Sequence, residues 1–270
     1  AQRYLTHDAL NAIYQATWRM AEDNGGEQHE RFLAYLHRIQ DEDLTLGVAM
    51  TDGKGDRSKR PGDQQNINSY VHIAERRADG IVISGAKAIV TGGPYMHELL
   101  VMPCRTMRKE DADFAVCCAV PIDANGLTII SRPAGRPGEE DAEFSSKYGQ
   151  SVAVCHFDQV LVPWDQVFLA GESEYTEHLV TSYANHHRHS CIGARAGFGD
   201  LLIGAGSLMT EANGLEMDTV PHLRDSMAEL IKLVEGFFAC GVAASVYGVE
   251  DPCGSWTVSY THLTLPTRYR

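Results

Sequence analysis

Ala49-Met50-Thr51-Asp52-Gly53-Lys54-Gly55-Asp56-Arg57-Ser58 stands where a helical sequence pattern gives way to a strand-rich one. The stretch is small, polar and rich in glycine, and it carries two carboxylates, a lysine and an arginine. Its glycines lack the Cβ atom that restricts backbone dihedrals, so the chain can pass close to a ligand. Successive N–H groups of such a loop can face an anion, to which Lys54 and Arg57 add charge. Composition alone favours a solvated domain linker over a ligand loop, because short glycine motifs often occur by chance.

The composition limits the kind of protein. The chain has 270 residues, 44% of them hydrophobic, which is enough for one large domain or two smaller ones. A net charge of −13 argues against non-specific nucleic-acid binding, because phosphates would be repelled. No apolar run approaches the roughly 18 residues of a membrane span. The seven cysteines are scattered and form no CxxC pair, which favours a cytoplasmic protein without disulfides and gives a cysteine-held metal cluster little support.

Residues 1–45 have the periodicity of helices. Thr6 or Asp8 is expected to cap a first helix, which Asn24-Gly25-Gly26 would end. A second helix follows, with apolar residues at helical spacing: Phe32, Leu33, Leu36 and Ile39. These residues therefore resemble the end of a helical domain rather than a complete one.

From residue 46 to about residue 170 the pattern is that of strands. Residues 71–76 and 81–85 flank Ala78-Asp79-Gly80, which predicts a hairpin. Further short strands are predicted at residues 99–102, 114–120, 127–131, 152–157 and 160–162. No helix intervenes, so the pattern indicates an antiparallel barrel or sandwich rather than βαβ units.

Past Pro163 the helical pattern returns. One long helix or two are expected between residues 174 and 213, with an end at Asn213-Gly214, and another helix at about residues 221–247. The first stretch has four glycines whose helix-destabilising effect close packing or a bound cofactor could offset: Gly193, Gly197, Gly199 and Gly204.

The order helix, strand, helix is similar to the acyl-CoA dehydrogenase-like architecture, in which a flavin lies between a middle barrel and a C-terminal bundle. The predicted fold class is α+β, with a middle antiparallel β-barrel. The predicted parts are the end of an N-terminal helical domain (1–45), the β-domain (46–170), a truncated C-terminal helical domain (171–257) and a non-native tail (258–270). The tail resembles translated sequencing adapter, so we exclude it from fold reasoning.

Several strings resemble the 4-hydroxyphenylacetate 3-hydroxylase and 4-hydroxybutyryl-CoA dehydratase family of flavoproteins. Strings similar to the dehydratase branch are residues 8–14, 49–52 with 55–58, 79–82 with 85–87, and His187-Arg188 with Gly199-Asp200. Ser131-Arg132 and Val162-Pro163-Trp164 are more similar to the monooxygenase branch. This resemblance reverses the preference for a linker at residues 49–58.

The resemblance implies FAD as the cofactor. It places a loop and a strand at the flavin, with the cofactor-binding residues Met50, Thr51, Asp52, Gly53, Lys54, Gly55, Asp56, Arg57, Ile89, Val90, Thr91 and His97. The Thr91 hydroxyl is expected to donate to the isoalloxazine edge and to stabilise the charge of the reduced ring. By the residues alone, Thr91 would be an ordinary strand residue and His97 a structural residue at a strand end.

The chain departs from both branches. The resemblance implies an iron–sulfur cluster in the dehydratase, held by three cysteines and a histidine. Tyr4 and Ala194 stand at two of the cysteine positions, the remaining cysteine position lies before residue 1, and His187 matches the histidine ligand. Cys191 and Arg195 replace the tyrosine and lysine near that ligand, and Val152 replaces a glutamate. Tyr4 instead matches the substrate-binding tyrosine of the monooxygenases, whose active-site histidine aligns with Val48. We therefore predict no metal site.

The histidines at residues 186–189 remain open to two interpretations. His187 faces the active site as an acid–base group while His186 and His189 are structural, or all three are satisfied within the bundle.

The predicted function is that of an FAD-dependent oxidoreductase- or lyase-type enzyme that lacks the cluster. Its predicted catalytic residues are His187, Arg188, Tyr4 and Thr91. The resemblance implies a phenolic acid or an acyl-CoA as the substrate, a flavin reductase as a partner and a homotetramer at full length. The alternatives are a phenol monooxygenase proper, a flavin-binding homologue without activity, and an inactive fragment.

Overall fold

The computed structural model of the chain describes residues 3–53, 55–133 and 147–257, with the exception of the side chains of Arg3 and Tyr4. Lys54, the Tyr4 side chain and the predicted tail therefore lie outside the described residues.

In the part of the chain that the structure describes, two helices precede eight strands and two more helices follow, which is the predicted order, and two short strands after the last helix were not predicted. The helices are α1 (Arg3–Asn24), α2 (Glu27–Asp41), α3 (Thr176–Ala212) and α4 (Pro221–Val246). The strands are β1 (Leu46–Ala49), β2 (His72–Arg76), β3 (Gly80–Thr91), β4 (Glu98–Val101), β5 (Val116–Pro121), β6 (Leu127–Arg132), β7 (Val152–Pro163), β8 (Val167–Ala170), β9 (Val249–Glu250) and β10 (Trp256–Thr257). The α+β class is thus confirmed, and so is the β2–β3 hairpin.

The middle strands form two four-stranded sheets. The first sheet has the order β1-β4-β5-β8 and the second has the order β2-β3-β7-β6. Strand β1 pairs parallel to β4, so the first sheet is mixed rather than antiparallel. Within the part of the chain that the structure describes, no closed barrel is found, so the predicted β-barrel is not confirmed, and the parallel β1–β4 pair corrects the prediction that all strands are antiparallel. Turn signals predict local hairpins, but they carry no information about a pairing between strands as distant as β1 and β4.

The first sheet is buried on both faces. One face packs against the second sheet through a shared core that includes Leu99, Val101 and Cys118. The other face, with Leu100 and Cys117 at the alternate positions, packs against α1, α2 and the start of α3. Because successive side chains of a strand point to opposite faces, both sets of positions must be apolar here.

Three element boundaries differ from the predictions. Helix α1 begins at Arg3, so Thr6 is not a cap; its hydroxyl donates to the Leu46 carbonyl at 2.7 Å. Strand β7 continues through Gln159, whose φ of 53° lies near a register shift, so the two predicted strands are one. Helix α3 is a single helix.

The chain forms two compact units, residues 1–183 and 184–270. In the second unit, α3 and α4 pack at Ile192, Phe237 and Ala244. A Cβ on Gly199 would lie 2.3 Å from Val234, so this glycine serves close helix packing, one of the two predicted explanations. Among the described residues, no helix has both the length and the apolar character to cross a bilayer.

Candidate functional site

Residues 50–57, called the 50–57 loop below, follow strand β1. They leave the first sheet at the edge where the parallel strands β1 and β4 both end. The Met102 N–H donates to the Ala49 carbonyl at 3.2 Å, which joins the ends of these two strands. The Ala88 N–H donates to the Thr51 carbonyl at 2.7 Å, and Asp52 forms a β-bridge with Lys87. The start of the loop therefore lies across β3 of the second sheet.

A buried ion pair fixes this crossing. Lys87 Nζ lies 2.7 Å from Asp52 Oδ1, and both side chains are only 2% exposed. The carboxylate also accepts the Val71 N–H at 3.0 Å. Burial and the nearby Asp52 charge raise the pKa of the adjacent Cys104 thiol, so this cysteine stays protonated and unreactive. The Asp52 carboxylate is buried with these partners and so holds the loop in place, whereas a cofactor contact by Asp52 stays a prediction.

The outer part of the loop is exposed but ordered by its own contacts. Asp56 Oδ1 accepts the N–H and the hydroxyl of Ser58 at 3.0 and 2.7 Å, which also lowers the pKa of the Asp56 carboxyl. The Gln64 amide accepts the Asp56 N–H and donates to the Asp56 carbonyl, both at 2.9 Å. A Cβ on Gly55 would lie 2.3 Å from Gln64 Oε1, so only glycine allows this contact. Gly53, Gly55 and Arg57 face solvent.

The end of β3 presents one of the three predicted flavin-strand residues outward. Val90 is fully buried in the sandwich core, which leaves only its backbone for a ligand. Ile89 is 66% exposed and has a φ of 58° at a register shift opposite β7. Thr91 is half-buried at the last position of the strand.

His97 lies at the amino end of the β1–β4 pair, away from the 50–57 loop. The imidazole Nδ1 accepts the Thr45 backbone N–H at 2.9 Å, and the His97 backbone N–H donates to the Thr45 carbonyl at 2.8 Å. A strand of four residues spans about 13 Å, so β1 separates the imidazole from Met50. A cofactor contact by His97 stays a prediction, whereas its structural contact is visible.

The predicted catalytic residues of α3 belong to the second unit. His187 is half-buried, with Nε2 3.5 Å from Cys191 Sγ, and Arg188 is exposed. The His189 Nε2 lies 2.8 Å from Ser245 Oγ, so His189 joins α3 to α4 as a structural residue. Within the described ranges, no group of three or more His, Cys, Asp or Glu side chains could hold a metal ion.

Sequence reasoning missed Lys87, Gln64 and Cys104 as residues that surround the loop. Lys87 lies in residues 85–87, which resemble the dehydratase branch, but the resemblance gave this lysine no role. One signal in the sequence could have revealed it, because Lys87 lies in a strand among apolar residues. A lysine in such a place is buried only when it pairs with an acceptor or a carboxylate.

Comparison with known structures defines the class of protein first. The chain is similar in structure to glutaryl-coenzyme A dehydrogenase, at a TM-score of 0.56 and 14% identity over 78% of this chain and 49% of that one. This likeness shows an acyl-CoA dehydrogenase-like fold.

The family follows from two sequence models. Residues 1–169 match the 4-hydroxyphenylacetate 3-hydroxylase N-terminal model, and residues 176–265 match the C-terminal model. The chain belongs to the 4-hydroxyphenylacetate 3-hydroxylase family.

Its relatives come from both branches. The chain is 36% identical to 4-hydroxybutyryl-CoA dehydratase/vinylacetyl-CoA-Δ-isomerase of Clostridium aminobutyricum, over 95% of this chain and 53% of that protein. An oxygen-tolerant archaeal 4-hydroxybutyryl-CoA dehydratase from N. maritimus has a TM-score of 0.88 and 34% identity, over 96% of this chain and 52% of that one. The oxygenase component of a 4-hydroxyphenylacetate 3-monooxygenase complexed with FAD has a TM-score of 0.81 and 26% identity, over 94% of this chain and 53% of that one. The chain thus spans about half the length of these relatives.

Proposed function

We propose that the chain is the flavin-binding part of an FAD-dependent enzyme that acts on a phenolic acid or an acyl-CoA. The observation that carries this proposal is the 50–57 loop, which buried charge fixes from inside and Gln64 fixes from outside. A relative with the same fold is complexed with FAD, which supports FAD as the ligand.

The exposed residues at the loop suit a large anionic cofactor. Gly53 and Gly55 leave the backbone open to close approach, and the exposed Arg57 guanidinium can pair with a phosphate. Ile89 offers an apolar surface at the end of β3, and the Thr91 hydroxyl can donate to a ring edge. FAD supplies, when bound, a centre that accepts and donates electrons.

The residues proposed to face the substrate are Tyr4, His187 and Arg188. The His187 imidazole can hold or move a proton near neutral pH, with Cys191 Sγ beside its Nε2. The Arg188 guanidinium can bind a carboxylate or phosphate of the substrate. The Tyr4 phenol is proposed to donate a hydrogen bond to the substrate.

We further propose that no iron–sulfur cluster takes part. Cluster irons need thiolate ligands, and Ala194 has no ligand atom at one of the positions that the family resemblance assigns. The sulfur nearest to His187 belongs to Cys191, one turn away on the same helix. The donor atoms on α3 therefore do not fit the cluster, and no step is routed through it.

Two finer parts of the proposal concern the assembled protein. We propose a cytoplasmic homotetramer at full length, with a flavin reductase as the electron donor. Both follow from the family resemblance, and small-molecule substrates are named for both kinds of relative.

An FAD titration of the purified chain tests the proposal. We expect saturable binding that changes the visible flavin spectrum, and Arg57→Ala is expected to weaken binding by about tenfold through the loss of a charge-assisted hydrogen bond. Arg77→Ala, an exposed arginine paired with Glu75 on the far end of the second sheet, is the matched control. An unchanged flavin spectrum at saturating FAD would refute the assignment.

The second candidate function is a phenol monooxygenase proper. Tyr4 and the strings at residues 131–132 and 162–164 favour it. With reduced flavin and oxygen, a monooxygenase would hydroxylate 4-hydroxyphenylacetate, whereas the first candidate's acyl-CoA chemistry would perturb the bound flavin spectrum on addition of an acyl-CoA.

A further inference from the structure

Lys87 is a buried lysine to which the proposed function gives no role. It lies on β3 opposite Cys155 of β7, a position whose neighbours form the sandwich core. A charged ammonium group persists at 2% exposure only where acceptors replace its water shell. The identity of those acceptors therefore shows what the lysine holds together.

The three hydrogens of the ammonium group have three acceptors. Lys87 Nζ donates to Asp52 Oδ1 at 2.7 Å, to the Met50 carbonyl at 3.0 Å and to the Met102 carbonyl at 2.7 Å. An ammonium group has three donors and no acceptor, so its hydrogen-bonding capacity is filled. Two of the acceptors are the first carbonyls beyond the parallel strands β1 and β4.

Two of these contacts hold the chain that enters the 50–57 loop, and the third ties that chain to the end of β4 at Met102. Met50 and Asp52 belong to the loop itself, and Asp52 is held a second time by the Val71 N–H at 3.0 Å. Gly53 and residues 55–57 are exposed, and the contacts at Asp52 fix the position from which they leave the sheets. A loop that is already in its bound conformation loses less conformational entropy when a ligand binds.

We propose that Lys87 is a positioning residue for the cofactor, because its ammonium group draws Asp52, Met50 and Met102 together and so presets the 50–57 loop. The inference rests on the proposed function in one respect, since FAD is the ligand proposed for that loop. Lys87 Nζ is buried and its three donors are filled by Asp52, Met50 and Met102, so it acts through the loop.

Two measurements on the Lys87→Met variant test this role. Trypsin can cleave after Arg57 and after Lys59, whereas Pro61 blocks cleavage after Arg60. The cleavage rate at these two sites therefore reports the order of the loop without any flavin. We expect cleavage about tenfold faster than in the unchanged chain, because local opening becomes easier. The dissociation constant for FAD is expected to rise by about ten- to a hundredfold as preorganisation is lost.

Arg38→Met is the matched control. Arg38 pairs at 2.6 Å with Glu98, a carboxylate nearly as buried as Asp52 but remote from the loop. This variant is expected to lower thermal stability while trypsin cleavage of the loop and the FAD dissociation constant stay unchanged. A general loss of stability would move both variants alike, whereas a positioning role moves only Lys87→Met.

The double variant Asp52→Leu, Lys87→Met covers the case in which the single variant fails to fold. It removes both charges, so no lone charge stays buried and thermal stability should recover. Fast loop cleavage and weak FAD binding should persist, because Met50, Met102 and Val71 have lost their partner. An unchanged cleavage rate or FAD dissociation constant in this variant would overturn the inference. If the unchanged chain binds no FAD, the proposed function fails, and the cleavage rates still decide whether Lys87 orders the loop.

Discussion

Ile89 has a backbone conformation that is unusual for its residue type. Its φ of 58° is left-handed, and a β-branched side chain disfavours that region by about 1–2 kcal/mol. The strain coincides with a register shift between β3 and β7, where an extra residue turns the 66% exposed side chain outward. Such strain persists only where the surrounding pairing imposes it, and it clusters at functional sites.

Replacing Ile89 should therefore stabilise the protein while weakening the site. Ile89→Asn is expected to raise the free energy of unfolding by about 1 kcal/mol, because asparagine tolerates left-handed dihedrals. Urea unfolding measures this change, and an FAD titration measures the accompanying loss of apolar surface. Ile130→Asn, an equally exposed isoleucine on β6 without a positive φ, should give no gain. A loss of stability for Ile89→Asn would show that the backbone of Ile89 does not destabilise the folded state.

Individual residues were only partly predictable from the sequence. The structural roles of His97 and His189 fit the simpler interpretations, because each ring has a local backbone or hydroxyl partner. Lys87 and Asp52 were not recognisable as a pair, since their contact depends on the chain crossing β3. Thr6 was mistaken for a cap because its acceptor, Leu46, lies 40 residues away.

The 50–57 loop is the element whose order controls the proposed site. Buried charge fixes its first residues, and the Gln64 side chain spans its far end through the backbone of Asp56. The two contacts are independent, because one is buried in the sandwich and the other is exposed. Each can therefore be removed without the other.

Removal of Gln64 should loosen the loop with little effect on stability. Gln64→Leu loses two hydrogen bonds of 2.9 Å to the Asp56 backbone and two longer ones, of 3.5 and 3.3 Å, to the Lys59 and Arg60 carbonyls. Because water can replace most of these bonds, the free energy of unfolding should fall by less than about 2 kcal/mol. Hydrogen exchange of the Asp56 amide should become faster, and FAD binding should weaken. Gln28→Leu, which removes a contact of 3.1 Å to Glu172, is the control with an unchanged Asp56 amide. Equal exchange rates in both variants would show that Gln64 does not hold the loop.

Most elements could be predicted, but their partners could not. Helix ends followed from Asn24-Gly25 and Asn213-Gly214, where the glycines have positive φ values of 99° and 70°. The parallel β1–β4 pair left no local signal, because parallel strands are joined by distant crossovers rather than by a turn.

At the scale of the whole molecule, three cysteines are sealed in the sheets. Burial raises the pKa of the Cys117 thiol, and it raises the pKa of Cys118 and of Cys155 from 9.0 to about 12. The folded state thus keeps these thiols protonated at a pH where the unfolded chain ionises. Above about pH 9 the unfolded state binds fewer protons, so stability must fall as pH rises.

Alkaline unfolding should show this linkage. Under reducing conditions, the free energy of unfolding is expected to decline above about pH 9, with each such thiol contributing up to about 1.4 kcal/mol per pH unit. Cys118→Val should make the decline shallower in urea titrations at a series of pH values. An equal slope in that variant would mean that other groups cause the decline.

The helices of the second unit expose large apolar side chains. Phe198, Leu208, Met209 and Phe238 are each at least 60% exposed. Exposed apolar surface promotes association between molecules. We expect the isolated chain to self-associate with rising concentration in light scattering, and Leu208→Lys with Met209→Lys to suppress it. Concentration-independent scattering by the unchanged chain would contradict this expectation.

The two-sided burial of the first sheet has a consequence for how the sequence can diverge. Leu99 and Leu100, like Cys117 and Cys118, face opposite cores at adjacent positions, so neither residue of a pair can become polar. On the second sheet, exposed positions such as Val154 alternate with buried ones along β7, and exposed positions such as Ile130 lie beside half-buried ones on β6. Mutational tolerance should therefore be lowest along β4 and β5, and variation should accumulate on the outward face of β6 and β7.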